Sequence, residues 1–217
     1  MNDKTAPGSL CELFVELVPV SGASITVFRQ PGAQSTICVS DGIAEELDQL
    51  QFDLGEGPRW ETARTGLATV SGDLRADRHP AWPVFGTAAA QLGVGALFSF
   101  PMRLGVHLMG VADLYRRDAG PLGEDATQRA FNIARQVAGP AAERASRSAE
   151  AEVLETPDAP ALRREVHQAT GMILMQLEIE AAEAFSMLQA HAFARGRTVE
   201  DVARDVVLRR LDFREIT

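Results

Sequence analysis

The sequence predicts an α+β fold, in which a mostly antiparallel sheet flanked by helices is followed by a small C-terminal three-helix bundle. Three observations favour it. Two pairs of apolar segments, each joined by a tight turn, are typical of hairpins that pair without long crossovers. Helical stretches precede and follow these hairpins, as in layered α+β domains. Residues 161–214 show helical periodicity only.

The first half of the sheet domain is predicted as a helix followed by a hairpin. Residues 9–18 have the apolar spacing of a helix, and residues 23–30 and 35–41 have that of strands on either side of a Pro-Gly turn. Residues 43–51 form a short helix or an irregular connection. The glycine-proline break LGEGP at 54–58 ends this half.

The second half continues the sheet and closes with a helix. Its elements are one or two helical turns at 59–66, a strand at 67–73, a helix at 80–93, long apolar strands at 94–105 and 107–117, and a helix at 123–139. We place the end of the last helix at Gly139 because Pro140 follows it. The sheet domain is therefore predicted to span residues 9–139.

The next segment, residues 140–160, is predicted to be a connector. It is rich in Ala, Glu, Arg and Ser and has too few large apolar side chains for a core of its own. It is either a partly helical, solvated linker or a helical spacer that pairs with a second copy.

Residues 161–214 are predicted to form three amphipathic helices. The second ends at Gly196, and the third begins after Thr198, with Asp201 in a capping position. The inward stripes are Leu162, Val166, Ala169, Ile173 and Leu177 on the first helix, Ala181, Phe185, Leu188 and Ala192 on the second, and Val199, Val202, Ala203 and Val206 on the third. A bundle this small has a marginal core, so we expect dimerisation to support it.

Composition excludes several classes of protein. No apolar run approaches the ~18 residues that span a bilayer, and the N-terminus lacks the pattern of a secretory signal, so we expect a cytoplasmic protein. Cys11 and Cys38 lie far apart and outside any metal-binding spacing, which favours two buried thiols over a disulfide or a zinc site.

The net charge of −9 argues against nucleic-acid binding by the whole chain. Residues 161–217, however, carry eight arginines and nine acidic residues, a near-neutral balance.

A glycine inside the first bundle helix needs an explanation, because glycine costs about 1 kcal/mol relative to alanine there. With the apolar stripe inward, Gly171 points outward beside Gln168 and Met175. A missing side chain lets another backbone or a flat base come close. This face therefore either docks an RNA loop or a second helix, or is a tolerated defect on an ordinary surface.

The arginines of the bundle divide into two groups. Arg204 and Arg209 each follow an acidic residue by four positions, so a solvated ion-paired face explains them as well as RNA contact does. Arg195 and Arg197 flank Gly196 without an obvious local partner, and they are candidates for a phosphate contact.

The C-terminal segment LRREVHQATGMILMQLEIEAAEAFSMLQAHAFARGRTVEDVARDVVLRRLDF closely resembles the ANTAR domain, through its ATGM, AAEAF, RGRTVEDVA and VVLRRL segments. The resemblance implies a dimeric three-helix module that binds hairpins in nascent leader transcripts and causes transcription antitermination. Thr170 occupies a position where many members carry lysine. The implied RNA-binding set is Gln168, Thr170, Gly171, Met175, Arg195, Arg197, Arg204 and Arg209.

Residues 9–139, especially DLGEGPRWETARTGLATVSGDL and VGALFSFPMRLG, resemble a GAF sensor domain. The order GAF then ANTAR is typical of actinobacterial regulators, and it implies a one-component regulator. An unknown small molecule is a possible ligand, in a pocket lined by Trp60, Trp82, Phe98 and His107, although the aromatic residues equally suit a core. The acidic sensor is also expected to repel RNA and to suppress binding until it moves away.

No catalytic motif stands out, so we expect neither an enzyme, a metal site nor a bound cofactor. The alternative to RNA binding is a protein-interaction module, in which the bundle only dimerises and the Gly171 face packs against its twin.

Overall fold

The N-terminal sheet has five strands in the order β2-β1-β5-β4-β3, and every neighbouring pair is antiparallel. The computed structural model describes residues 9–30, 33–77, 79–153 and 164–216. The strands are β1 Gly22–Gln30, β2 Ala33–Val39, β3 Thr69–Ser71, β4 Ala96–Leu104 and β5 His107–Arg116. The predicted α+β class is confirmed.

Helices cover both faces of the sheet. One face packs against α1 Glu12–Leu17 and α5 Glu124–Val153, and the other packs against α2 Gly42–Leu54 and α4 Pro83–Gln91, with α3 Pro58–Thr65 beside β4 and β5. The irregular alternative for residues 43–51 is wrong, because α2 is a regular helix. The Asp41 carboxylate caps it by accepting from the backbone N–H groups of Ile43 and Ala44.

The expectation of two free thiols is wrong. Cys11 and Cys38 form a disulfide with their Cα atoms 6.0 Å apart, and both residues are buried. Cys11 immediately precedes α1, while Cys38 points from β2 toward the same face of the sheet. Sequence spacing gave no sign of this pairing, because only the packing of α1 on the sheet brings the two residues together.

The predicted end of the last sheet-domain helix at Gly139 is also wrong. Helix α5 continues through Pro140 to Val153. Gly139 has no Cβ to clash with the proline ring, which removes part of the usual penalty before a proline. Ala141 and Ala145, beyond the proline, are buried against the sheet core and stabilise the continuation.

The C-terminal bundle contains α6 Arg164–Leu177, α7 Ala181–Ala194 and α8 Val199–Val207, followed by a 3-10 turn at Phe213–Glu215. The predicted inward stripes form its core with three exceptions. Leu177 is half-buried at the edge, Ala181 is half-buried outside the core cluster, and Leu162 lies outside the described residues. Thr198 caps α8 as predicted, since its side chain accepts from the N–H of Asp201. Gly196 has a φ of 62°, as expected for a glycine that ends a helix.

One residue of the bundle core comes from the sheet domain. Phe52, in the last turn of α2, has no exposed surface and belongs to the same apolar cluster as Val166, Phe185 and Val202. The bundle therefore packs on the sheet domain rather than forming a separate core.

Candidate functional site

The outward face of α6 carries three of the residues selected from the sequence. Gln168, Gly171 and Met175 are all exposed, and Met175 is 75% accessible. A Cβ placed on Gly171 would meet no atom within 4 Å among the described residues. We call this surface the α6 wall. It is an open strip of helix backbone edged by one amide and one thioether.

Thr170 does not belong to the α6 wall. Its side chain is 9% exposed, and its hydroxyl donates to the backbone oxygen of Val166 at 2.7 Å. A threonine hydroxyl that bonds one turn back along its own helix has no free donor for a ligand. We therefore remove Thr170 from the candidate RNA-binding set.

Arg197 has the local partner that the sequence did not reveal. Its guanidinium lies 2.7 Å from an Asp205 carboxylate oxygen and also donates to the backbone oxygen of Asp201 at 3.1 Å. These contacts hold the turn between α7 and α8 against the side of α8. A phosphate at Arg197 would have to share the guanidinium with Asp205.

Arg204 and Arg209 also differ from the simple i,i+4 pattern. Arg204 pairs with Glu165 on α6 at 3.1 Å and with Asp201 at 3.5 Å. Asp205, the expected partner of Arg209, pairs instead with Arg197 and Arg210. Arg209 is exposed and has a φ of 56°, a left-handed conformation that a non-glycine residue adopts at a cost of about 1 kcal/mol.

Arg195 is the arginine of the α7–α8 turn that remains available. It is exposed and, within the described part of the chain, forms no ion pair. One turn earlier, burial lowers the pKa of His191, and the cations of Arg195 and Arg197 lower it further. The turn is therefore locally electropositive, although the whole chain is acidic.

The four residues proposed to line a sensor pocket do not come together. Phe98 is buried on the α1–α5 side of the sheet, whereas Trp82 is buried on the side of α2 and α4. Trp60 packs half-buried against the bundle, and His107 is exposed at the start of β5. The idea of one pocket formed by these four side chains is therefore wrong.

Trp82 does border a different cavity, a groove of about 880 Å³ between α4 and the loop that precedes it. The rings of Trp82 and His79 stack there at 3.7 Å, and His79 Nε2 lies 2.9 Å from the Ser71 hydroxyl. Burial lowers the pKa of His79, more than the Asp77 and Glu61 carboxylates raise it. Trp82 itself is only 1% exposed, so its ring face is not available to a ligand.

A buried ion-pair network lies beneath α3, and the sequence analysis missed it. Arg59 has no exposed surface and pairs with Asp48 and with Asp113, whose oxygen lies 2.8 Å from Arg59 Nε. Burial alone would lower the pKa of Arg59, but the two carboxylates together raise it, so the guanidinium stays charged. Asp48 also accepts from the hydroxyls of Thr26 and Thr36. The only sign of this network in the sequence is a polar residue on the inward-facing side of a predicted helix.

Two classes of site receive no support from the described residues. They contain no group of three or more His, Cys, Asp or Glu side chains placed to hold a metal ion. None of the described helices combines the length and the apolarity needed to cross a bilayer.

Comparisons with known proteins agree with this architecture. Residues 156–207 match the model of the ANTAR domain, and no curated protein matches the chain. A domain described as part of a two-component sensor histidine kinase protein from Sinorhizobium meliloti 1021 aligns with a TM-score of 0.50 at 16% identity, over 65% of this chain and 92% of that chain. This similarity shows a shared fold only.

Two GAF-domain structures align at slightly lower scores. The GAF domain region of a membrane protein from Geobacter sulfurreducens PCA gives a TM-score of 0.49 at 18% identity, over 62% of this chain and 88% of that chain. The GAF domain of a phosphoenolpyruvate-protein phosphotransferase from Coxiella burnetii gives 0.48 at 16% identity, over 66% and 88%. These two similarities concern the fold only. The five-stranded domain, called the GAF-like domain below, is followed by a segment that matches the ANTAR model.

Proposed function

We propose that the chain is a one-component regulator whose ANTAR domain, at about residues 161–214, binds hairpins in nascent RNA and causes transcription antitermination. The GAF-like domain, which begins at residue 9 and includes α5 to Val153, would sense a signal and control this binding. The observation that carries the proposal is the open α6 wall inside a segment that matches the ANTAR model.

The geometry of the wall suits an unpaired base better than a duplex. Among the described residues, no atom lies within 4 Å of a Cβ placed on Gly171, so a flat base can approach the helix closely. Met175 offers a polarisable apolar side chain for packing on a base face, and Gln168 offers an amide donor and acceptor. Sequence-specific RNA recognition usually uses such unstacked loop bases.

Charge supplies the second part of the proposal. Arg195 and Arg209 are exposed, and neither pairs with an acidic side chain in the described part of the chain, so they are the first candidates for phosphate contacts. Arg197 and Arg204 are already paired, and they would exchange a carboxylate for a phosphate. Arginine contacts with phosphates release counterions, so binding should weaken with salt, although the net charge of −9 repels RNA at long range.

The test uses two substitutions with a matched control. Gly171→Leu fills the α6 wall, and Arg195→Ala removes a free cation. Ala182→Leu adds the same side chain at an exposed position of α7, away from the wall. We expect the first two to abolish a mobility shift of RNA hairpins while Ala182→Leu retains it. Equal shifts by all the proteins would refute the role of the wall.

The second candidate function is dimerisation without RNA. In that case the α6 wall packs against the wall of a second copy, and Gly171→Leu breaks a dimer instead of an RNA complex. Sedimentation of the same variants separates the two functions, since RNA binding predicts an unchanged homodimer. We keep the homodimer, the cytoplasmic location and the absence of catalysis as parts of the proposal. The actinobacterial type stays a prediction from sequence.

The transcript, the signal and its direction of action need a cellular experiment. Crosslinking the full chain to RNA in cells and sequencing the attached fragments would identify the hairpins. We expect enrichment of leader transcripts that contain a terminator downstream of the crosslink. If no RNA is enriched relative to a strain that carries Gly171→Leu, the proposed function is contradicted.

A further inference from the structure

The corner between α2 and α3 joins the GAF-like domain to the bundle. We define the α2–α3 corner by Phe52, Asp53, Gly55 and Trp60. Phe52 is fully buried in the bundle core, and Trp60 packs half-buried against the same cluster. The corner is therefore a structural part of the RNA-binding module, although it lies about a hundred residues earlier in the chain.

Two hydrogen bonds fix the corner on the bundle at helix ends. Gln189 Nε2 on α7 donates to the backbone oxygen of Phe52 at 2.6 Å. The backbone N–H of Val199, the first residue of α8, donates to an Asp53 carboxylate oxygen at 2.9 Å. Both bonds satisfy groups that a helix end leaves without an intrahelical partner. Asp53 in addition places negative charge at the N-terminus of α8, where it is favourable.

Hydrogen bonds also connect this corner to the interior of the GAF-like domain. The Gln51 side chain donates to Asp113 at 3.2 Å and accepts from the backbone N–H of Arg59 at 2.9 Å. The Gln51 backbone oxygen accepts from the Trp60 indole at 2.6 Å. A displacement of the Arg59 ion-pair network would therefore move Gln51, and with it the next residue, Phe52.

Docking of the corner leaves the α6 wall open. The corner contacts α7 and the start of α8, whereas Gly171 and Met175 remain exposed on α6. Occlusion of the wall by the acidic domain, expected from the charge alone, is not found among the residues that the structure describes. The contact instead fills the core of the bundle that presents the wall.

We propose that the α2–α3 corner is a positioning element for RNA binding: Phe52 completes the bundle core and holds α6, α7 and α8 in the binding arrangement. This inference rests on the proposed function and specifies how the sensor controls it. A sensor state that withdraws Phe52 loosens the bundle and lowers its RNA affinity. The GAF-like domain thus supports binding when docked, and its signal acts through α2.

The first experiment measures hairpin affinity of the full chain by fluorescence anisotropy, with a labelled RNA hairpin selected from a randomised-loop pool on the wild-type protein. Phe52→Ala is expected to lower the affinity about tenfold, within the range usual for coupling between sites. Phe52→Leu should restore most of it. Phe100→Ala makes a comparable cavity on the far side of the sheet and is expected to leave the affinity unchanged.

A second pair of variants avoids a core cavity, in case Phe52→Ala fails to fold. Gln189→Ala removes the side chain that donates to the Phe52 backbone oxygen, and Ser186→Ala changes a neighbouring exposed residue of the same helix. We expect Gln189→Ala to lower the affinity and Ser186→Ala to leave it unchanged. Circular dichroism of each variant confirms that it is folded.

The third readout separates positioning from a merely structural role. In a Trp82→Phe background Trp60 is the only tryptophan, and it lies at the corner rather than on the α6 wall. Coupling is reciprocal, so hairpin binding should change the Trp60 emission in this protein, and the change should be smaller with Gln189→Ala.

The outcomes are distinct. The role of the corner alone is overturned if the wild-type chain binds the hairpin and neither Phe52→Ala nor Gln189→Ala changes the affinity. It is also overturned if saturating RNA leaves the Trp60 emission unchanged. Failure of the wild-type chain to bind any hairpin overturns the proposed function, and this inference with it.

Discussion

The Phe52 ring of the GAF-like domain lies against the Phe185 ring of the bundle, with centroids 5.4 Å apart and planes at 47°. A tilted aromatic pair of this kind contributes about 0.5–1.5 kcal/mol beyond its buried area. We expect a double-mutant cycle of Phe52→Leu and Phe185→Leu, measured by urea unfolding, to return a coupling in that range. The cycle of Phe52→Leu with Phe131→Leu is the control, because Phe131 packs on Phe100 instead. Zero coupling in the first cycle would contradict the docked arrangement.

Gly171 is predicted to limit the stability of α6. Its Cβ position is open and its φ is not left-handed, so Gly171→Ala should stabilise the chain by roughly 0.5–1 kcal/mol. Gly196→Ala is the matched contrast, since that position is equally open but has a φ of 62°, so it should destabilise. Thermal unfolding measures both. A destabilising Gly171→Ala would mean that the helix surface is covered.

The disulfide is predicted to stabilise the GAF-like domain substantially. It closes a loop of 27 residues in sequence separation, for which chain entropy gives roughly 3–4 kcal/mol. Urea unfolding with a dithiol reductant present throughout should lower the free energy of unfolding by about this amount. A variant with both cysteines replaced by alanine should then be insensitive to the reductant. Equal stability of the wild-type chain with and without reductant would refute the bond.

The Arg59 network predicts a strong effect on stability. Arg59→Met removes the buried cation that pairs with the carboxylates of Asp48 and Asp113, which should destabilise the chain by about 3–5 kcal/mol at neutral pH. Urea unfolding of the variant and of the wild-type chain measures the difference. Arg103→Met is the control and should change little, since Arg103 is exposed and, within the described residues, its guanidinium donates to the backbone oxygens of Val106 and Gly66.

His191 is predicted to report on phosphate contact at the α7–α8 turn. Burial and the cations of Arg195 and Arg197 lower its pKa below the usual 6.5, so its neutral form contributes stability above pH 6.5, which is lost as the pH falls through the folded pKa. A phosphate at these arginines would offset their charge and raise this pKa. NMR titration with and without a bound hairpin measures the change, with His191→Gln for assignment and His79 as the sensor control. An unmoved His191 pKa would place the phosphates elsewhere.

Local signals predicted the secondary structure and the bundle core well. Helical spacing of apolar residues identified the inward stripes of α6, α7 and α8, and the same wheel put Gly171 and Met175 on the outside. Turn chemistry located the hairpins and the capped start of α8. These features depend on residues within a few positions of each other, which is the range that a single sequence reports.

Contacts between distant segments could not be predicted in the same way. The Cys11–Cys38 bond, the Arg59 network and the insertion of Phe52 depend on how whole elements pack, and no spacing rule encodes them. The partners of Arg197 and Arg204 could not be predicted from spacing along one helix. Asp205 on α8 pairs with Arg197 in the preceding turn, and Arg204 on α8 pairs with Glu165 on α6. The position of Thr170 in the ANTAR motif does not reveal that its side chain is buried and bonded to the Val166 backbone oxygen.

The sealed position of the Cys11 and Cys38 sulfurs has a practical consequence for handling the protein. Thiol exchange needs an attacking thiolate to reach a sulfur, and neither residue exposes more than 1% of its surface. The covalent state would then be set when the chain folds, by the oxidant supply of the expression host. Reductant added later to the folded protein would not reset it, whereas reductant present while the chain is unfolded would, so preparations from reducing and oxidising hosts should be treated as different samples.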